Sequence, residues 1–288
     1  MKYIAQIAFV LFTLSYGSQI SAQQANVQKL SENVYSAFLL HYQSLIVIGD
    51  KGVLITDPAN TQRATLLKST ISKLTSLPVT KIVLSHEHYD HVGGTEVFPN
   101  AEIYAHQAAN SIFRLDVTGQ APKTVHHYVG DNTKLVVGKT TINLLHFGAA
   151  DGVGMIAVHL PNEQVVYSAD LYEVGAITQG AFIADTNYLG SRKLLNALVS
   201  FGPKYAITAH SKNLDPKHLQ IAADFYNDLF NAVEPALQEA MKKSADATMS
   251  LAKSLPKQVK LPKYRDLGNY SDLPQHVERM VYSIFHGG

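Results

Sequence analysis

A chain of 288 residues, 46% hydrophobic and 16% charged, is long enough for one large core or two small ones, and its composition argues against disorder. The absence of cysteine excludes disulfides, thiolate ligands and a cysteine nucleophile, so the fold rests on packing and on any metal it binds. Lys and Arg number 24 against 23 Asp and Glu, too even a balance to attract nucleic acid; a small-molecule substrate is the expected partner.

Residues 1–22 read as a signal peptide: Met1-Lys2-Tyr3, an apolar run from Ile4 to Leu14, and Ile20-Ser21-Ala22 before the expected cleavage. The run is shorter than the roughly 20 residues that span a bilayer, and no later segment is long and apolar enough. The expected location is therefore periplasmic or secreted, with no membrane insertion after cleavage. Loss of Lys2 evens the charges (24 less one, against 23).

After a polar stretch from Gln23 to Gln28, Val34–Leu40, Leu45–Ile48 and Gly52–Thr56 read as strands, with Gly49-Asp50-Lys51 as the turn between the last two. Thr61–Leu74 carries apolar residues at helical spacing, and Lys81–Ser85 is a buried strand running into a histidine-rich loop, the junction where α/β folds place chemistry. A short helix from about Val92, a strand at Glu102–Ala105, a helix from His106 and a polar connection around Gly119–Asp131 follow. Lys134–Val137 and Thr140–Phe147 read as one hairpin, Met155–Leu160 and Gln164–Ser168 as another, followed by a helix at Tyr188–Ser200 and a strand at Tyr205–Thr208.

Two strand-rich halves with helices predict sheets packed face to face with helices outside. From Pro216 the pattern is helical, with Leu219, Tyr226, Leu229, Phe230, Val233 and Leu237 near one stripe, Pro235 interrupting it, and no evident chemistry. The domain organisation read from this is residues 1–22, a main domain at 23–214 and a helical extension at 215–288 packed on it. The pattern carries no signal for the oligomeric state.

The chemistry concentrates in Ser85-His86-Glu87-His88-Tyr89-Asp90-His91-Val92-Gly93-Gly94, directly after an apolar strand. In extended chain His86 and His88 point the same way and can hold one ion. A turn at Asp90-His91 can place those two side chains on a second ion nearby. Neutral imidazoles and carboxylates are ligands for zinc and iron.

The His86-x-His88-x-Asp90-His91 run resembles the signature of the metallo-β-lactamase-like superfamily, over a stretch from about Val34 to Lys212. That resemblance implies an α/β fold, a four-layer αβ/βα sandwich, here with a helical C-terminal extension. It implies that Asp57, ending Gly52–Asp57, supports the metal loop. It also implies that Asp170, in Tyr167-Ser168-Ala169-Asp170, bridges two metals and that His210 is the last histidine ligand. The third histidine that the family usually gives the first metal is absent: in His146-Phe147-Gly148-Ala149-Ala150-Asp151-Gly152, Asp151 stands in its place. Asp151 is read as a direct ligand, with no direct contact, or replacement by another histidine such as His146, as the alternatives.

The implied metal residues are thus His86, His88, Asp90, His91, Asp151, Asp170 and His210, with Asp90 also orienting the nucleophile and passing a proton. The implied cofactor is one or two Zn2+ ions, with iron or manganese as alternatives. The implied activity is an exported metal-dependent hydrolase that uses a metal-bound hydroxide on an ester, thioester, lactone or amide bond. Two competing readings are an iron-dependent sulfur-oxidising enzyme and a catalytically weakened accessory or metal-binding protein. His106 and His159 are read as structural, His126 and His127 as solvated-loop residues with substrate contact as the alternative. Tyr172, His41 and Tyr42 stand between packing and substrate orientation.

Overall fold

The computed structural model describes residues 25–177 and 187–287, so the expected signal peptide lies outside the described residues. Two sheets form the centre. The first joins β1 (Asn26–Lys29), β2 (Val34–Leu39), β3 (Tyr42–Ile48), β4 (Val53–Thr56), β5 (Val79–Val83), β6 (Glu102–His106) and β7 (His127–Val129) in that order, antiparallel as far as β4 and parallel beyond it. The second has the order β12 (Tyr205–Ile207), β11 (Val165–Tyr167), β10 (Ala157–Leu160), β9 (Thr140–Leu145), β8 (Asn132–Val137), with only β11 and β12 parallel.

The period-two alternation of strands builds the layers. Leu45 and Val47 join Ile142, Leu144 and Val158 in a core between the sheets, while Ile46 turns outward to Ala64, Leu67 and Ile71 of α1 (Thr61–Ile71). On the far face Leu194, Leu195 and Leu198 of α4 (Tyr188–Ser200) join the inter-sheet cluster. The result is helix, sheet, sheet, helix, as expected, with a helical C-terminal region of α5 (Lys217–Lys243), α6 (Ala245–Gln258) and α7 (Leu273–His286). No helix among the described residues is long and apolar enough to cross a membrane.

Several local expectations change. The polar stretch before Val34 contributes β1, which pairs with β2 in spite of its polarity because an edge strand needs only one apolar face. The connection around Gly119–Asp131 contains β7, held to β6 by parallel pairing that local pattern does not encode. The short helix α2 (Tyr89–Val92) ends where one was expected to begin, and α3 (Ala109–Phe113) starts three residues after His106. Pro235 does not break α5: it is exposed, as is Asn231, so the carbonyl left unbonded there faces water while Val233 and Leu237 stay buried.

One buried cation ties the strand ends to α1. Arg63 is fully buried and donates to the carbonyls of Leu39 (3.2 Å), Asp57 (3.0 Å), Ala37 (3.4 Å) and Tyr42 (3.0 Å). Burial lowers its pKa to about 10, so it stays charged at neutral pH. Arg63→Met removes the donors and leaves those carbonyls in the core, a predicted loss on the order of 3 kcal/mol in urea unfolding; a loss below about 1 kcal/mol would show that water or neighbouring donors replace the guanidinium.

Candidate metal centre

The site collects at the carboxyl ends of paired parallel strands: β4 and β5 of one sheet, β11 and β12 of the other. Asp57 follows β4, the His86–His91 loop follows β5, Asp170 follows β11 and His210 follows β12. Asp151 comes from the loop between β9 and β10. Two groups result. His86, His88, Asp151 and Asp170 offer donor atoms within 4.8 Å of one another, and so do Asp90, His91, Asp170 and His210. Asp170 belongs to both.

In the first group Asp151 Oδ2 lies 3.7 Å from His86 Nε2 and 3.8 Å from His88 Nδ1. In the second His91 Nε2 is 3.0 Å from Asp170 Oδ2 and 3.5 Å from Asp90 Oδ2, and His210 Nε2 is 3.2 Å from Asp170 Oδ1. His146, the alternative to Asp151, is in neither group: it stacks on His106 with ring centroids 3.7 Å apart and bonds the Met155 carbonyl. His126 and His127 are also elsewhere, the first accepting from the Ile103 N–H and the second stacked on Tyr104. His159 stacks on Phe201.

Hydrogen bonds behind the site set which ring nitrogen faces it. Asp57 is 2% exposed and its carboxylate accepts from the Ser85 N–H (2.8 Å), the Ser85 hydroxyl (2.6 Å), Tyr167 and His91 Nδ1 (3.3 Å). Since the Ser85 proton goes to Asp57, His86 Nδ1–H donates to Ser85 Oγ at 2.9 Å. His210 Nδ1–H donates to the His41 carbonyl at 3.0 Å. All three imidazoles therefore turn Nε2 inward.

Glu87 and Tyr167 are contributions that the sequence reading missed. Glu87 accepts from the Val153 (2.6 Å) and Gly154 (2.9 Å) N–H groups and so pins the loop that carries Asp151. The N-terminal turn of α4 meets the same loop so closely that a Cβ at Gly190 would lie 1.6 Å from the Ala149 carbonyl oxygen. Burial and Asp57 push the Tyr167 phenol well above its ordinary range, keeping it a donor.

Backbone strain gathers here too. Leu40, His41, Asp57, Ala59 and Ala169 have positive φ, a region that side chains other than glycine enter at a cost. Leu40 and His41 form the two-residue turn between β2 and β3 with left-handed φ at both positions, which aims the His41 carbonyl at His210.

The donor atoms fit a divalent cation. His86 Nε2 is buried without a hydrogen-bond partner, an orphan that a cation would satisfy. Burial and the neighbouring imidazoles hold His86 well below its ordinary pKa, so it is a neutral donor. Burial opposes charge on Asp170, yet His91 and His210 keep its carboxyl well below the usual range. Imidazole nitrogens and carboxylates together suit zinc, iron or manganese. Asp57→Ala removes the acceptor behind both His91 and Ser85, and zinc affinity in chelator competition is predicted to fall about 10- to 100-fold; unchanged affinity would show that Asp57 does not orient these residues.

Comparisons with known proteins agree with this arrangement. The chain is 26% identical over 223 residues to the beta subunit of 2,4-dinitroanisole O-demethylase from Nocardioides sp. (strain JS1661), a match covering 75% of this chain and 68% of that protein. The alpha subunit from the same organism is 30% identical over 141 residues, 46% of this chain and 42% of that protein. Among solved structures, a metallo-beta-lactamase from Pontibacter korlensis superposes with a TM-score of 0.62 at 18% identity, over 71% of this chain and 100% of the other. Metallo-beta-lactamase IND-7 gives 0.62 at 19% identity, over 71% and 99%. These two show the fold. The family model of the metallo-beta-lactamase superfamily matches residues 38–210, more than half of the chain and a span that takes in both groups, so this protein belongs to that superfamily.

Proposed function

We propose that the protein is an exported, periplasmic or secreted hydrolase, dependent on zinc, that cleaves an ester, thioester, lactone or amide bond in a small molecule. The observation that carries this reading is the pair of four-residue groups sharing Asp170, with Nε2 of His86, His91 and His210 turned inward. His86, His88, Asp151 and Asp170 would hold one ion and Asp90, His91, Asp170 and His210 the other. When bound, such ions supply a water of lowered pKa and a Lewis-acid contact for the oxyanion.

The chain's own residues supply orientation and proton transfer. Asp90 is half exposed beside the cavity and accepts a hydrogen bond from the Tyr42 hydroxyl at 3.3 Å. Burial and Asp90 push that phenol up to about 12, so Tyr42 remains a donor across the neutral range. This bond fixes one Asp90 oxygen and leaves the carboxylate placed to take a proton from the attacking water and pass it to the leaving group. Tyr42 also lies against the rings of His91 and His210, limiting their rotation.

The names of the two curated relatives add an aryl methyl ether to the bonds worth testing. The experiment is a chromogenic panel of esters, thioesters, lactones, a β-lactam and 2,4-dinitroanisole with metal-stripped and reconstituted mature protein. Turnover restored by zinc is expected. Turnover only with iron, accompanied by oxygen uptake, would favour a redox enzyme, and none with any metal would favour an accessory protein.

Two variants sharpen the outcome. Asp90→Asn should lower kcat by about 10^2- to 10^4-fold when assayed at zinc concentrations that keep both groups occupied. Asp151→His removes one of the three carboxylates of the paired groups, leaves more positive charge on the activated water, and should move the acid limb of the pH–rate profile to lower pH. An unshifted profile would show that Asp151 does not set the charge of the centre.

A further inference from the structure

Next to the paired groups lies a cavity of about 790 Å3, within the range of small-molecule sites. Its lining has two parts that differ in chemistry. His88, Asp90, Asp151, Asp170 and His210 form one part; Ile221, Ala222, Phe225 and Tyr226, on one face of α5, form an apolar part together with Leu267. The extension expected to serve as cover alone thus shapes the site.

The charge along the apolar part is as informative as its shape. No lysine or arginine lines the cavity among the described residues. Two imidazoles line the wall. Burial draws His276 down to about 3, and burial with Lys217 lowers His218, which leaves both rings uncharged at neutral pH. The Tyr188 hydroxyl donates to His276 Nδ1, while the Nε2 of that ring is buried without a hydrogen-bond partner. A substrate carboxylate or phosphate against this part would lose water without gaining a counter-charge, in a cavity already rich in carboxylates.

Resting on the hydrolase reading, we propose that the part of the substrate remote from the scissile bond is uncharged and apolar, an aryl or medium-length acyl group, and that α5 is the wall that selects it. Ile221 and Ala222 are half-buried on that wall and pack against the edge of the core, so substitution there changes the cavity without emptying a fully buried position.

The test uses the metal-reconstituted mature protein and phenyl esters of acetate, butanoate and hexanoate beside phenyl hemi-esters of succinate and adipate. Binding of the uncharged fluorescent probe N-phenyl-1-naphthylamine is followed separately, in metal-free protein. Specificity (kcat/KM) should rise about fourfold per added methylene until the cavity fills, which corresponds to about 0.8 kcal/mol each. The uncharged esters should be preferred at least about tenfold over the hemi-esters, and Ile221→Lys should narrow or reverse that preference and weaken the probe.

Equal or better cleavage of the hemi-esters by the wild-type protein would overturn the proposal and leave the hydrolase reading intact. Absence of all phenyl-ester cleavage, with probe binding that Ile221→Lys abolishes, would count against the ester branch of the hydrolase reading and support the apolar site. Failure of the probe to bind, with no dependence on chain length, would overturn the proposal.

Discussion

A buried carboxylate must be given partners, and the site is organised around that requirement at Asp57. Its side chain receives a backbone N–H and a hydroxyl from Ser85, the phenol of Tyr167 and a ring nitrogen of His91. Tyr167 ends a strand of the second sheet, whereas Ser85 follows a strand of the first, so one side chain joins the two sheets where their parallel strands end. Its carbonyl takes a further bond from Arg63 and another from the Ser44 hydroxyl. The position of the histidine loop, the tautomers of His86 and His91, and the closure of the sandwich at this end all follow from these bonds.

The inner residues form the complementary half of the problem. Asp90, Asp151 and Asp170 converge with four imidazoles, and Asp170 is held between His91 and His210. Carboxylates gathered in this way need positive charge, and imidazole nitrogens turned inward beside them offer a divalent ion a seat. The strained residues Leu40, His41, Asp57, Ala59 and Ala169 show that backbone geometry gives way so that these side chains can meet.

Much of this was legible because each strand that delivers a site residue is a short apolar run ending in a polar one. Lys81–Ser85 before the histidine loop, Gly52–Thr56 before Asp57 and Tyr205–Thr208 before His210 all read this way, and the structure brings the residues that follow them together. Asp151 was found by counting through a glycine turn. Tyr167, Glu87 and Arg63 were not found, because their roles lie in contacts to residues 110, 66 and 24 positions away that no local pattern records. The wall of α5 was hidden for another reason: an apolar helical stripe looks the same whether it faces a core or a cavity. Edge strand β1 and the three-residue β7 were missed because pairing with a neighbour, and not their own composition, makes them strands.

The central claim is that the two groups hold a pair of ions through a shared carboxylate, and metal content tests it most directly. Elemental analysis of the purified mature protein, after reconstitution with zinc, should give two ions per chain, with a lower content in His210→Ala, which removes one ligand from the second group alone. A chain that stays free of metal under the same conditions would contradict the account, because the converging carboxylates and the orphaned nitrogen of His86 would then have to be explained without a cation.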